Sequence, residues 1–156
     1  MNTINKTTKM EDVKINVKLK LSALWVALML VYIYADILSN FKPGAIGKAM
    51  EGFMGPFPVT QGALLSASIL MIIPAVMVFL CLTLKAKVNR WANIILGVLY
   101  TFVNISNLIG ETSWIFYISF VVVEIALTLL IVGYAWKWRN PAGTAKTVTN
   151  ELLSAA

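Results

Sequence analysis

The stretch GALLSASILMIIPAVMVFLCLTL, Gly62 to Leu84, decides the fold: it runs for 23 residues without a charged side chain. At about 1.5 Å of rise per residue, about 20 apolar residues in a helix cross the ~30 Å hydrocarbon layer of a bilayer, whereas buried core helices of soluble domains have shorter apolar runs. Three more runs of similar length flank it. Leu19 to Phe41 is broken only by Lys20 and Asp36, Trp91 to Gly110 carries no charge, and Trp114 to Trp136 carries only Glu124. Helices are the only open-chain way to satisfy the backbone in lipid. The expected fold is therefore all-α: a four-helix transmembrane bundle over residues 19–139 with spans at 19–41, 62–84, 91–110 and 114–136, preceded by an arm, 1–18, and followed by a tail, 140–156.

Composition agrees. Of 156 residues, 59% are hydrophobic and 13% charged, about half the charge of a typical globular chain. The net charge of +6 comes from basic residues beside the apolar runs, which fits membrane topology better than a nucleic-acid surface. Eleven of the thirteen Lys and Arg residues fall in the arm, in the turn Lys85 to Arg90 and in the tail, leaving Lys42 and Lys48 on the other side. Both termini are thus expected in the cytoplasm, with the chain multi-pass in the inner (plasma) membrane. The first run is too long for a signal peptide and no small-residue cleavage site follows it, so it reads as a retained helix.

The turns at Lys85 to Arg90 and Gly110 to Ser113 are tight, so the last three spans are expected to pack as antiparallel neighbours. Between Lys42 and Gln61, Ile46, Met50 and Phe53 fall at i, i+4 and i+7, which reads either as a short surface helix or as an irregular Gly/Pro loop. In the arm, Val13, Ile15, Val17 and Leu19 alternate with Lys14, Asn16, Lys18 and Lys20, an interfacial lead-in with snorkelling lysines. VYIYADI (Val31 to Ile37) and LYTFVNI (Leu99 to Ile105), 68 positions apart, raise the further expectation of two repeated hairpins with a binding region between them.

With no histidine and only Cys81, imidazole catalysis, His-ligated metals, disulfides and Cys-based clusters are excluded. No Gly-rich phosphate loop or nucleophile triad appears, so no cofactor is expected, and the question of an enzymatic activity stays open with the balance against one. Polar residues inside spans are costly and therefore informative. Tyr100, Asn104, Asn107 and Glu111 share a face of the third span; Tyr32, Asp36 and Asn40 recur every four residues on the first; Tyr117, Glu124 and Thr128 share a face of the fourth. Turned inward, they form a column descending from about 0 Å at Glu111 to about 15 Å at Tyr100 and Glu124. Below it only Ser22, Cys81 and Thr83 are polar, with Gly97 and Gly133 as small residues, so the expected cavity opens outward and is closed below.

Glu124 lies at mid-bilayer with no Lys or Arg at its depth, which favours its neutral form or a proton shared with Asp36 through Asn104 or water. Such an acid can carry a proton or hold a cation. Equally, it and the asparagines can simply fasten helices together. The candidate ligand-binding set is Tyr32, Asp36, Tyr100, Asn104, Asn107 and Glu124. Pro74 is expected to kink the second span and free a carbonyl, and Trp25, Trp91, Trp114, Trp136 and Trp138 to form interfacial belts.

The stretches LSALWVALMLVYIYADIL (Leu21 to Leu38), IIPAVMVFL (Ile72 to Leu80), NRWANIILGVLYT (Asn89 to Thr101) and GYAWKW (Gly133 to Trp138) resemble an uncharacterised family of small bacterial four-helix integral membrane proteins. In size and helix count the chain is more distantly similar to DoxX-like proteins, some of them associated with quinone-linked complexes. Two function classes stay open. One is an outward-facing acidic pocket that binds or moves a small lipophilic or cationic ligand. The other is a non-catalytic accessory subunit, a homo-oligomer or a partner in a membrane complex.

Overall fold

The computed structural model of the protein describes residues 13–55, 57–110 and 114–138. Along the chain these form α1 (Val17–Ser39), α2 (Ala45–Met50), β1 (Phe53–Met54), β2 (Phe57–Pro58), α3 (Gln61–Thr83), α4 (Ala86–Gly110) and α5 (Ile115–Lys137). The four long helices are each long and apolar enough to cross a membrane, as expected of an all-α membrane bundle. Two of them start at side-chain caps that satisfy free amides of the first turn: Asn16 accepts from the Lys18 amide at 2.9 Å and Thr60 from the Ala63 amide at 3.1 Å. α4 starts five residues before the expected Trp91, at Ala86. Hydropathy marks what lipid solvates, and a polar first turn containing Lys87, Asn89 and Arg90 is helical all the same.

The helices alternate in direction. α1 packs against α3 on one side and α5 on the other, and α5 packs in turn against α4. α3 and α4, expected as close neighbours across their short turn, approach least. What joins them is long side chains, because the interior between them is filled by Trp25 and Tyr100, stacked edge to face at 5.8 Å. The expected repeat would make α1 against α5 the counterpart of α3 against α4. One pair packs closely and the other does not, so the two halves differ in packing.

Burial follows a seam of alternating three- and four-residue steps. On α1 it is Leu21, Trp25, Leu28, Tyr32 and Ala35; on α3 Pro74, Met77 and Cys81; on α5 Val121, Glu124, Thr128, Ile131 and Ala135. This is the spacing that keeps one side of a helix against a slightly inclined neighbour. On α4 the seam is Asn89, Asn93, Gly97, Tyr100 and Asn104. Gly97 lets α4 and α5 approach closely, since a Cβ there would stand 2.7 Å from Val132 Cγ2.

The basic end of the bundle holds Lys18, Lys20, Lys87, Arg90 and Lys137, and of these Lys18 caps a helix end rather than only snorkelling. Lys18 Nζ donates to the Leu82 and Leu84 carbonyls at 3.2 and 2.7 Å, closing α3, and Lys20 Nζ lies 5.4 Å from the Tyr134 ring centre. At the opposite end the connection from α1 to α3 contains the expected short helix, followed not by an irregular loop but by a small antiparallel hairpin. Phe53 belongs to the hairpin, not to a helical stripe with Ile46 and Met50. Gly55, with φ of 61°, supplies the left-handed turn residue.

Candidate functional site

The interior polar groups fall into two halves with different chemistry. In the basic half Trp25, Asn89, Asn93, Cys81 and Ser22 form a buried network in which each side chain finds a partner. Asn93 Oδ1 accepts from Trp25 Nε1 at 2.7 Å and from Cys81 Sγ at 3.4 Å. Asn93 Nδ2 donates to the Asn89 backbone carbonyl and to Asn89 Oδ1 at 2.8 and 2.7 Å, and Asn89 Nδ2 donates to the Cys81 carbonyl. Ser22 Oγ donates to the Val78 carbonyl at 2.8 Å. This half holds polar groups well beyond the expected Ser22, Cys81 and Thr83. Asn89 and Asn93 continue the Tyr100 and Asn104 face at steps of four and three or four, and that periodicity is the signal that finds them. Trp25 is not a belt residue; it is fully buried at the centre of this network.

Midway, Pro74 has the expected consequence. Lacking an N–H, it leaves the Leu70 carbonyl, one turn back, without its helical donor. The Tyr100 hydroxyl of α4 donates to that carbonyl, so the freed group is repaired from a neighbouring helix rather than opening a cavity. Tyr100, expected as a ligand residue, thus spends its proton on α3. Alongside, Thr101 Oγ1 donates to Thr128 Oγ1 at 2.9 Å and ties α4 to α5.

In the half towards the hairpin the network is incomplete. Tyr32 donates to Asn104 Oδ1 at 2.7 Å. Asn104 is fully buried, and its Nδ2 has no partner. The Thr101–Thr128 contact sets the register of the antiparallel helices and brings Glu124 of α5 opposite Asn104. Glu124 is 3% exposed and lies within electrostatic reach of Tyr32 and of Asp36. No Lys or Arg among the described residues is ion-paired with it. Seven residues beyond Tyr32, on the same seam, the Ser39 hydroxyl is also buried without a partner.

The other candidates lie nearer the hairpin end of the bundle. Asp36 is exposed, a departure from the inward stripe expected for it. Each step of four residues advances about 40° around a helix of 3.6 residues per turn, so Tyr32, Asp36 and Asn40 drift off the seam that Tyr32, Ala35 and Ser39 follow. Asn40 is exposed as well and donates to the Asp36 carbonyl at 3.1 Å. Asn107 and Tyr117 are half-buried. Lys42 lies over the Tyr117 ring at 4.7 Å and the Phe116 ring at 5.6 Å. Glu111 and the tail fall outside the described residues.

Among the described residues no group of His, Cys, Asp and Glu side chains is arranged to hold a metal ion. The sequence pattern of a family of unknown function, DUF6326, matches residues 8–145. The chain belongs to that family. It fits the resemblance to uncharacterised four-helix membrane proteins and covers the whole bundle. No curated protein and no solved structure matches the chain. The likeness to DoxX-like proteins is therefore one of size and helix count alone.

Proposed function

We propose that this membrane protein, lying multi-pass in the inner (plasma) membrane with both termini in the cytoplasm, binds or moves a small lipophilic or cationic ligand at the cluster of Tyr32, Asn104 and Glu124, entered past Asp36 and Asn107 from the hairpin side. The carrying observation is the Asn104 amide nitrogen, a fully buried donor without an acceptor. In a hydrocarbon environment an unsatisfied polar group is costly. Beside it stands a buried carboxyl with no described basic partner. A molecule that accepts from the amide and offers positive charge or a proton to Glu124 completes both groups at once.

The second reading, a non-catalytic accessory subunit, is favoured by the other half of the bundle, where Trp25, Asn89, Asn93 and Tyr100 all serve to hold helices together. A thermal-shift titration of the full chain in detergent separates the two, using choline, whose hydroxyl oxygen can accept from the Asn104 amide, as the cationic probe and its neutral isostere 3,3-dimethyl-1-butanol as control. The ligand reading expects stabilisation by the cation that grows with concentration, as linkage requires, and that is lost in Glu124→Gln while the unliganded melting temperature is kept. No stabilisation of the unaltered protein, or equal stabilisation of Glu124→Gln, overturns it.

A further inference from the structure

The basic end carries a depression of about 130 Å³ lined by Ala86, Lys87, Arg90, Trp91 and Trp138, well above the ~10–15 Å³ that admits a single water. It is remote from the polar cluster at the other end. Among the described residues no acidic side chain lines it. Lys87 and Arg90 stand three residues apart on α4, on one face of the first turns. The Arg90 guanidinium is held in place by one bond, from Nη2 to the Trp136 carbonyl at the end of α5, at 3.3 Å. Its Nε is buried and has no hydrogen-bond partner. Arg90 therefore has donor capacity left over next to a cavity that a second cation shares.

The two tryptophans give the depth. Trp91 is half exposed and Trp138 half-buried, and an indole flanking an apolar span marks the level of lipid headgroups. At that level the anions in reach are phosphates. A guanidinium offers its planar fork to two phosphate oxygens, an ammonium adds a point charge, and the indole edges pack on the adjoining glycerol and acyl carbons.

We propose that this depression binds an anionic phosphate group, supplied by the headgroup of an acidic phospholipid. Arg90 grips the phosphate, Lys87 neutralises it, and Trp91 and Trp138 seat the lipid against the ends of α4 and α5. Bound there, the lipid joins the start of one helix to the end of its neighbour.

Native mass spectrometry of the full chain in detergent, titrated with phosphatidylglycerol, phosphatidylcholine or inorganic phosphate, tests this. Phosphatidylglycerol should bind at least about ten-fold more tightly than phosphatidylcholine, since the net negative charge adds to the shared phosphate contacts. Lys87→Gln, an exposed position, should cut that preference about five-fold, the effect of one basic charge near an anionic surface. Arg90→Gln should abolish it, and Lys48→Gln at the other end should leave it unchanged. Equal binding of the two lipids, or a preference that survives both Lys87→Gln and Arg90→Gln, overturns the proposal. Inorganic phosphate binding at millimolar concentration without any preference between the lipids assigns the site to free phosphate and overturns the lipid source.

Discussion

The Tyr100 hydroxyl repairs the carbonyl that Pro74 leaves open, so the energetic worth of Tyr100 should depend on what stands at position 74. Tyr100 is almost fully buried and donates to the Leu70 carbonyl. Tyr100→Phe removes that bond and leaves the carbonyl unpaired in the bundle. Hydrogen bonds between membrane helices contribute about 0.6 kcal/mol on average and up to about 1.7, and an unsatisfied buried acceptor costs about 1–3 kcal/mol. The expected loss is therefore about 1–2 kcal/mol. In Pro74→Ala the new amide at position 74 restores the helical bond to Leu70, and Tyr100→Phe in that background should cost no more than about 0.5 kcal/mol. The predicted coupling is thus about 1 kcal/mol, and the intrinsic effect of replacing proline cancels within the cycle. Reversible unfolding in mixed micelles, followed by tryptophan fluorescence, measures all four proteins. An equal cost of Tyr100→Phe with and without Pro74 refutes the reasoning.

Asn93→Ala should destabilise by about 2–4 kcal/mol, because it strands the Trp25 indole N–H and the Asn89 carboxamide in a fully buried site, and Trp25→Phe should recover part of that loss in the same unfolding assay. Gly97→Ala places a methyl against the stiff Val132 side chain and should be less stable than Gly133→Ala, whose Cβ meets nothing within 4 Å, by about 1–3 kcal/mol; equal melting temperatures would contradict the close approach of α4 and α5. In intact cells a membrane-impermeant maleimide should label Lys48→Cys directly and Lys87→Cys only after permeabilisation, with buried Cys81 silent in both; the reverse pattern would exclude the proposed orientation.

The spans were legible because hydropathy over about 20 residues is a strong signal: Gly62 to Leu84 has no alternative as a water-soluble element. Their packing order was not. Short turns imply neighbouring helices, yet a bulky pair at the interior, Trp25 with Tyr100, holds α3 and α4 apart, and nothing local to the turn encodes that. Site residues separated in the same way. Asn104 and Glu124 lie on seams that alternate steps of three and four, and both are buried. Asp36 was grouped with Tyr32 by a step of four alone, which accumulates angle, while Ser39, at the correct step from Ala35, went unnoticed because a serine near a helix end resembles a cap. Trp25 looked interfacial from its distance to the nearest lysine, whereas its seam position between Leu21 and Leu28 marks it as interior.

The contrast between the two halves of the interior argues for where ligand chemistry resides. Asparagines are equally expensive in both halves, so a bundle needing only cohesion would satisfy them equally. Asn89 and Asn93 each have their amide nitrogen and oxygen engaged, and even the carbonyl freed by Pro74 is repaired. Asn104, on the same helix face about three turns beyond Asn93, has a buried amide nitrogen left over, and it lies opposite Glu124, the one carboxyl among the described buried residues. Helix cohesion explains the first set without remainder. It gives no reason for the second, whose missing acceptor and missing positive charge together describe the molecule that would fit.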